Sequence, residues 1–135
     1  MVQIKMEYQG DLHCKAVHGP SATELATDAP KDNQGRGESF SPTDLVATAL
    51  GTCVLTTLGI LARTLGLSID GATATVQKEM SASPPRRIAS LALEVHIPQQ
   101  LSQENKLKLE RAAHTCPVHR SLHPEVNAPI TFTWG

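Results

Sequence analysis

Aromatic side chains are scarce in this chain, 3% of 135 residues, with one tryptophan, one tyrosine and two phenylalanines. The core must therefore be assembled from Leu, Val, Ile, Ala and Met. Charge of one sign is equally lacking. Twelve Lys and Arg stand against thirteen Asp and Glu, a formal net charge of −1, and no Lys/Arg-rich run occurs. That balance offers no basic stripe for a sugar-phosphate backbone, so no nucleic-acid partner is expected. The start of the chain, Met1 to Glu7, has no basic segment followed by an apolar stretch, and no signal peptide is expected. Three cysteines without an export signal point to the cytoplasm, where thiols stay reduced and a disulfide is transient rather than structural.

What is present reads as one ordinary globular domain over residues 1–135, with 40% hydrophobic and 19% charged residues. Val2, Ile4, Met6 and Tyr8 alternate with polar neighbours and predict a half-buried strand. Leu12, Cys14 and Ala16 continue the alternation after the turn Gln9-Gly10-Asp11, and 22–27 predicts a third, shorter strand. Residues 28–40 are polar, contain Pro30, Gly35 and Gly37, and predict a functional loop. Ser41-Pro42-Thr43-Asp44 then carries the start signals of a helix: Ser at the N-cap, Pro at the first helical position and Asp at the third. That helix is expected to reach about Leu65 and stop at Gly66.

The uncharged run 45–62 within it has the minimum length of a membrane span. Four threonines and two glycines dilute it, so a buried helix is expected and no membrane partner. Strands are expected at 72–80 and 91–97, helices from Ser102 to about Ala113 and from Pro117 to Leu122, and a last strand at 130–134. The order is not a βαβα alternation. It predicts an α+β fold with a mainly antiparallel sheet around the long central helix. A helix apolar on most faces needs more cover than so few strands provide, so an obligate homodimer is expected.

Cys53, inside the apolar helix, and Cys116, in His114-Thr-Cys116-Pro117-Val-His119-Arg120, are the candidates for chemistry. A thiolate is the nucleophilic form of cysteine. Cys116 precedes Pro117 and so takes the N-cap of a helix, where free N–H groups favour negative charge. Cys53 has no such help unless a cation approaches it, and Arg36, in the loop Gln34-Gly-Arg36-Gly-Glu38, is the nearest upstream in sequence. The plainer alternative is that both cysteines are packed small hydrophobes, and Cys14 is read that way. Asp44 alone reads as a capping residue, and Arg36 and Glu38 as solvated charges. His114, Cys116, His119 and His123 crowd ten residues, but a second cysteine pair is missing, and neither a metal nor a cofactor is expected.

Ser41-Pro42-Thr-Asp44-Leu45, Ala49-Leu50-Gly51-Thr-Cys53 and Cys116-Pro117-Val118 together resemble the OsmC/Ohr superfamily over nearly the whole chain. Thr43 stands where the well-studied peroxidase branches carry a glutamate, so the chain is most similar to the less-characterised OsmC-like branch. The resemblance implies an intertwined α+β homodimer that reduces organic hydroperoxides. It implies Cys53 as the peroxidatic and Cys116 as the resolving cysteine, Arg36 as the cation beside the thiolate, and Asp44 as the acidic residue at the start of the central helix. The implied partners are a hydroperoxide substrate and an external thiol or dithiol reductant. The competing reading is a dimeric small-ligand-binding or redox-sensing module without efficient turnover.

Overall fold

A computed structural model describes residues 1–135 as two compact units, Met1–Val46 and Ala47–Gly135. The first holds an antiparallel meander of β1 (Ile4–Tyr8), β2 (His13–His18) and β3 (Glu24–Asp28). Tyr8 faces Cys14 across β1 and β2, and Cys14 faces Thr27 across β2 and β3. The third strand begins two residues later than the sequence suggests. Ala22 adopts a left-handed φ of 60° and donates its N–H to His18 O, which makes it part of the turn. Every residue of β1 is exposed, Ile4, Met6 and Tyr8 included, so this sheet offers apolar side chains to solvent.

Helix α1 (Pro42–Thr64) is set at both ends by the residues its sequence supplies. The Ser41 hydroxyl accepts the Asp44 N–H at 3.1 Å, and the Asp44 carboxylate accepts the Ser41 N–H at 2.9 Å. This is a reciprocal capping box with aspartate in the usual glutamate role. At the other end Gly66 has φ 72°, with Leu67 N–H on Ala62 O and Gly66 N–H on Arg63 O. That pair of bonds is the Schellman closure, and the left-handed residue it requires is the glycine.

The second unit carries the core. β4 (Thr73–Met80) and β5 (Ile88–Ile97) form an antiparallel hairpin, and β6 (Ile130–Trp134) lies parallel to β5, Leu93 opposite Ile130 and Ile97 opposite Trp134. Between β5 and β6 run α2 (Gln103–Ala113) and α3 (Pro117–Ser121), the crossover that a parallel pair needs. Leu91, Leu93, Val95 and Ile97 alternate along β5 and are fully buried, as are Leu50, Val54 and Leu58 of α1 and Leu109 of α2. Gly51 marks the close approach of α1 to the sheet: a Cβ there would lie 3.3 Å from Val76 Cγ2.

The one sheet expected from the sequence is thus corrected to two three-stranded sheets, the second of them mixed, while the pairing is mainly antiparallel as expected. Strands pair with their near neighbours in sequence, and the excursion through α1 separates the two sets. The crossover through α2 and α3 then returns β6 in the direction of β5.

Candidate redox site

Cys53 and Cys116 meet in the second unit. The buried residues of α1, Ala47, Leu50, Gly51, Val54, Leu58 and Ala62, form one stripe at helical spacing. Cys53 lies beside that stripe, between Leu50 and Val54, and remains partly exposed. Cys116 is completely buried and is the N-cap of α3, its backbone extended at φ −64° and ψ 140°. Pro117 follows at the first helical position, where its missing N–H costs nothing. The Cys116 sulfur accepts the His119 N–H at 3.2 Å.

The Cys53 side chain lies close enough to Cys116 to act on its thiol, through hydrogen bonding and charge. Burial is the largest influence and pushes the Cys116 thiol above the ordinary thiol range. The His119 N–H acts in the opposite direction, the hydrogen bond with Cys53 and its charge raise the thiol further, and the Val118 N–H lowers it. The N-cap position is the one expected from Cys-Pro, but the expected ionisation of Cys116 is overturned: desolvation outweighs the two N–H groups. Burial thus holds Cys116 in the thiol form at neutral pH.

Arg36 and Asp44 are each engaged within the first unit. Arg36 Nη2 lies 3.3 Å from Asp11 Oδ2, and both side chains are more exposed than buried. Asp44 closes the capping box on Ser41. Cys14 sits in β2, partly buried, as a free thiol. No three His, Cys, Asp or Glu side chains converge on a point that could hold a metal. His114 instead packs edge-on against His119 at 5.6 Å, His119 Nε2 lies 3.3 Å from Ala128 O, and His123 Nδ1 accepts the Glu125 N–H.

Two features were not anticipated. The backbone N–H of His119 donates to the Cys116 sulfur, foreshadowed only by the spacing from the N-cap to the third helical position. In the first unit, His13 Nδ1 lies 2.6 Å from the buried Asp28 carboxylate. Only the register of β2 on β3, which places His13 opposite Asp28, could have disclosed that pair.

A mixed α+β chain with two neighbouring cysteines, one buried at a helix start and one on a long apolar helix, defines a dithiol-bearing protein. Residues 35–131 match the family model described as OsmC-like protein, and the chain belongs to that family. A solved structure from Psychrobacter arcticus 273-4, provisionally described as an osmotic stress induced and detoxification response protein, is 44% identical; the match covers 98% of this chain and 96% of that one, at a TM-score of 0.93. The organic hydroperoxide resistance protein OsmC from Legionella pneumophila shares the fold at 19% identity and TM-score 0.79, over 98% and 96% of the two chains. The OsmC like protein from Mycoplasma pneumoniae does so at 18% identity and TM-score 0.83, over 99% and 96%. No functionally curated protein matches the chain in sequence.

Proposed function

We propose that this protein reduces organic hydroperoxides with Cys53 as the attacking thiolate and Cys116 as the resolving thiol. The observation that carries the reading is the approach of the Cys53 side chain to the Cys116 thiol, with Cys116 completely buried and Cys53 partly exposed. The hydroperoxide resistance named for the Legionella relative agrees with it.

Cys53 Sγ attacks the terminal peroxide oxygen, the O–O bond breaks, and the alcohol leaves with the electron pair and a proton. Cys53 becomes a sulfenic acid. Cys116 then gives up its proton to the departing oxygen as its sulfur attacks, the S–O bond breaks, water departs, and a Cys53–Cys116 disulfide remains. Two thiols of an external reductant restore the pair by exchange. A resolving thiol held protonated is suited to its place in this order, since it does not compete with Cys53 for the peroxide.

The proposed assembly is a homodimer that covers the outer face of α1. That helix has a mean hydropathy of 2.0 over its most apolar 18-residue window, yet only 28% of the window is buried. Its outward stripe, Thr48, Thr52, Thr56 and Ile60, is apolar in effect. The Thr52 hydroxyl donates to Thr48 O and the Thr56 hydroxyl to Thr52 O, both at 2.8 Å, so the polar atoms are tied to the helix itself. A second copy would bury that stripe without stranding a hydroxyl. The proposed setting is the cytoplasm, where external thiols are available as reductant.

The test is peroxide-dependent disulfide formation. One equivalent of cumene hydroperoxide is expected to close the Cys53–Cys116 bond. A ligand-binding module would instead keep its free thiols.

A further inference from the structure

The two cysteines differ sharply in access, and that difference governs how their disulfide is opened. Cys116 has no exposed surface even in a single chain, so the approach of a second copy cannot uncover it. Cys53 keeps part of its surface, and under the peroxidase reading a hydroperoxide must reach its sulfur. Thiol–disulfide exchange depends on which sulfur the incoming thiolate can reach. A sulfur with no accessible surface offers no line of approach, whereas the path that admits a peroxide to Cys53 also admits a slender thiol.

We propose that the external thiol opens the disulfide at Cys53 alone, so that reduction passes through a mixed disulfide on Cys53 with Cys116 as the leaving group. The inference rests on the dithiol reading of the site and adds the direction of exchange to it.

The steps balance. An incoming thiolate forms an S–S bond to Cys53 Sγ, the Cys53–Cys116 bond breaks, and its electron pair goes to Cys116 Sγ. The departing sulfur is met by the His119 N–H, which lies 3.2 Å from it in the reduced chain. Burial then favours its protonation. A second thiolate, from the same dithiol or another monothiol, attacks the outer sulfur of the mixed disulfide and releases Cys53 as thiolate. Two external thiols are oxidised to one disulfide, and one protein disulfide is reduced to two thiols. Protonation lowers the thiolate fraction of Cys116 and so slows its return attack on the mixed disulfide. The first exchange is thereby biased forward.

The experiment separates exchange from peroxide chemistry by closing the disulfide with diamide. The oxidised protein is mixed briefly with less than one equivalent of glutathione and quenched in acid with N-ethylmaleimide. Trypsin places Cys14, Cys53 and Cys116 on three different peptides, 6–15, 37–63 and 112–120, so each sulfur is read separately. Glutathione on Cys53 and maleimide on Cys116, in excess over the reverse pattern by roughly tenfold or more, is the expected result for exchange controlled by access. Equal labelling, or glutathione mainly on Cys116, would overturn the inference, as would failure of diamide to form the bond. A bond that diamide closes and cumene hydroperoxide does not would sink the peroxidase reading alone, leaving the direction of exchange to be read from the same peptides.

Discussion

Cys116 is where local sequence and tertiary burial disagree most. Its N-cap position in front of Pro117 was legible from three letters of sequence, and the His119 N–H does lie on its sulfur. What those letters could not disclose is that the sulfur is sealed from water, because the burial depends on the packing of the whole second unit. The raised pKa has a defined consequence for stability. A folded-state pKa above the unfolded value stabilises the fold fully below the ordinary thiol range and loses that contribution as pH rises through the folded value. The urea midpoint of the reduced protein is therefore expected to fall as pH rises above the ordinary thiol range, more steeply than that of Cys116→Ser, which has no thiol to ionise there. Parallel pH slopes for the two proteins would contradict the assignment. The same variant is expected to stop the reaction at the Cys53 sulfenic acid, which a dimedone adduct on peptide 37–63 would record. Arg36 shows the complementary difficulty, since the resemblance assigns it a role while its observed partner is Asp11. An exposed pair of this kind contributes about 0–1 kcal/mol, so it does not hold Arg36 captive. If Arg36 supplies the cation, Arg36→Ala is expected to slow Cys53 alkylation near neutral pH by about tenfold while moving stability by no more than about 0.5 kcal/mol. An unchanged alkylation rate would leave Arg36 as the partner of Asp11 alone.

At the scale of elements, the capping signals were the most informative stretch of sequence. Ser41-Pro42-Thr43-Asp44 placed the start of α1, and Gly66 placed its end, through bonds that need only neighbouring residues. Ser41→Ala removes the hydroxyl that accepts the Asp44 N–H and is expected to cost about 1 kcal/mol, read as a lower urea midpoint with an unchanged slope. A loss below about 0.3 kcal/mol would mean that the capping box adds little to the helix. The strands were legible as strands, because alternation is a local pattern: β4 alternates exposed and half-buried residues along its whole length. Their pairing was not. Alternation carries no information about the direction of a partner, so β6 beside β5 could not be told parallel or antiparallel from Ile130 to Trp134. The division of six strands into two sheets escaped for the same reason.

For the whole molecule, the largest unanswered demand is the outer face of α1. This helix is long and apolar enough to cross a membrane and has 28% of its apolar window buried, which leaves the face that the proposed second copy would cover. The proposed second copy makes a direct prediction. Ile60, 65% exposed on that face, is expected to tolerate Ile60→Glu in the folded single chain and to weaken self-association, lowering the sedimentation coefficient at micromolar concentration while circular dichroism is retained. A variant that stays associated as tightly as the parent would place the interface elsewhere. The apolar excess of this helix was legible in sequence. How much of it one chain can cover was not, since that depends on the area of β4 and β5 available to it.

The central claim is that Cys53 and Cys116 work as a redox couple, and the most direct measurement is a thiol count before and after one equivalent of cumene hydroperoxide, with peptide mapping of the product. The account predicts that two of the three thiols disappear, that peptides 37–63 and 112–120 become joined by a disulfide, and that Cys14 stays free. Three thiols remaining after peroxide, or a disulfide that includes Cys14, would contradict it.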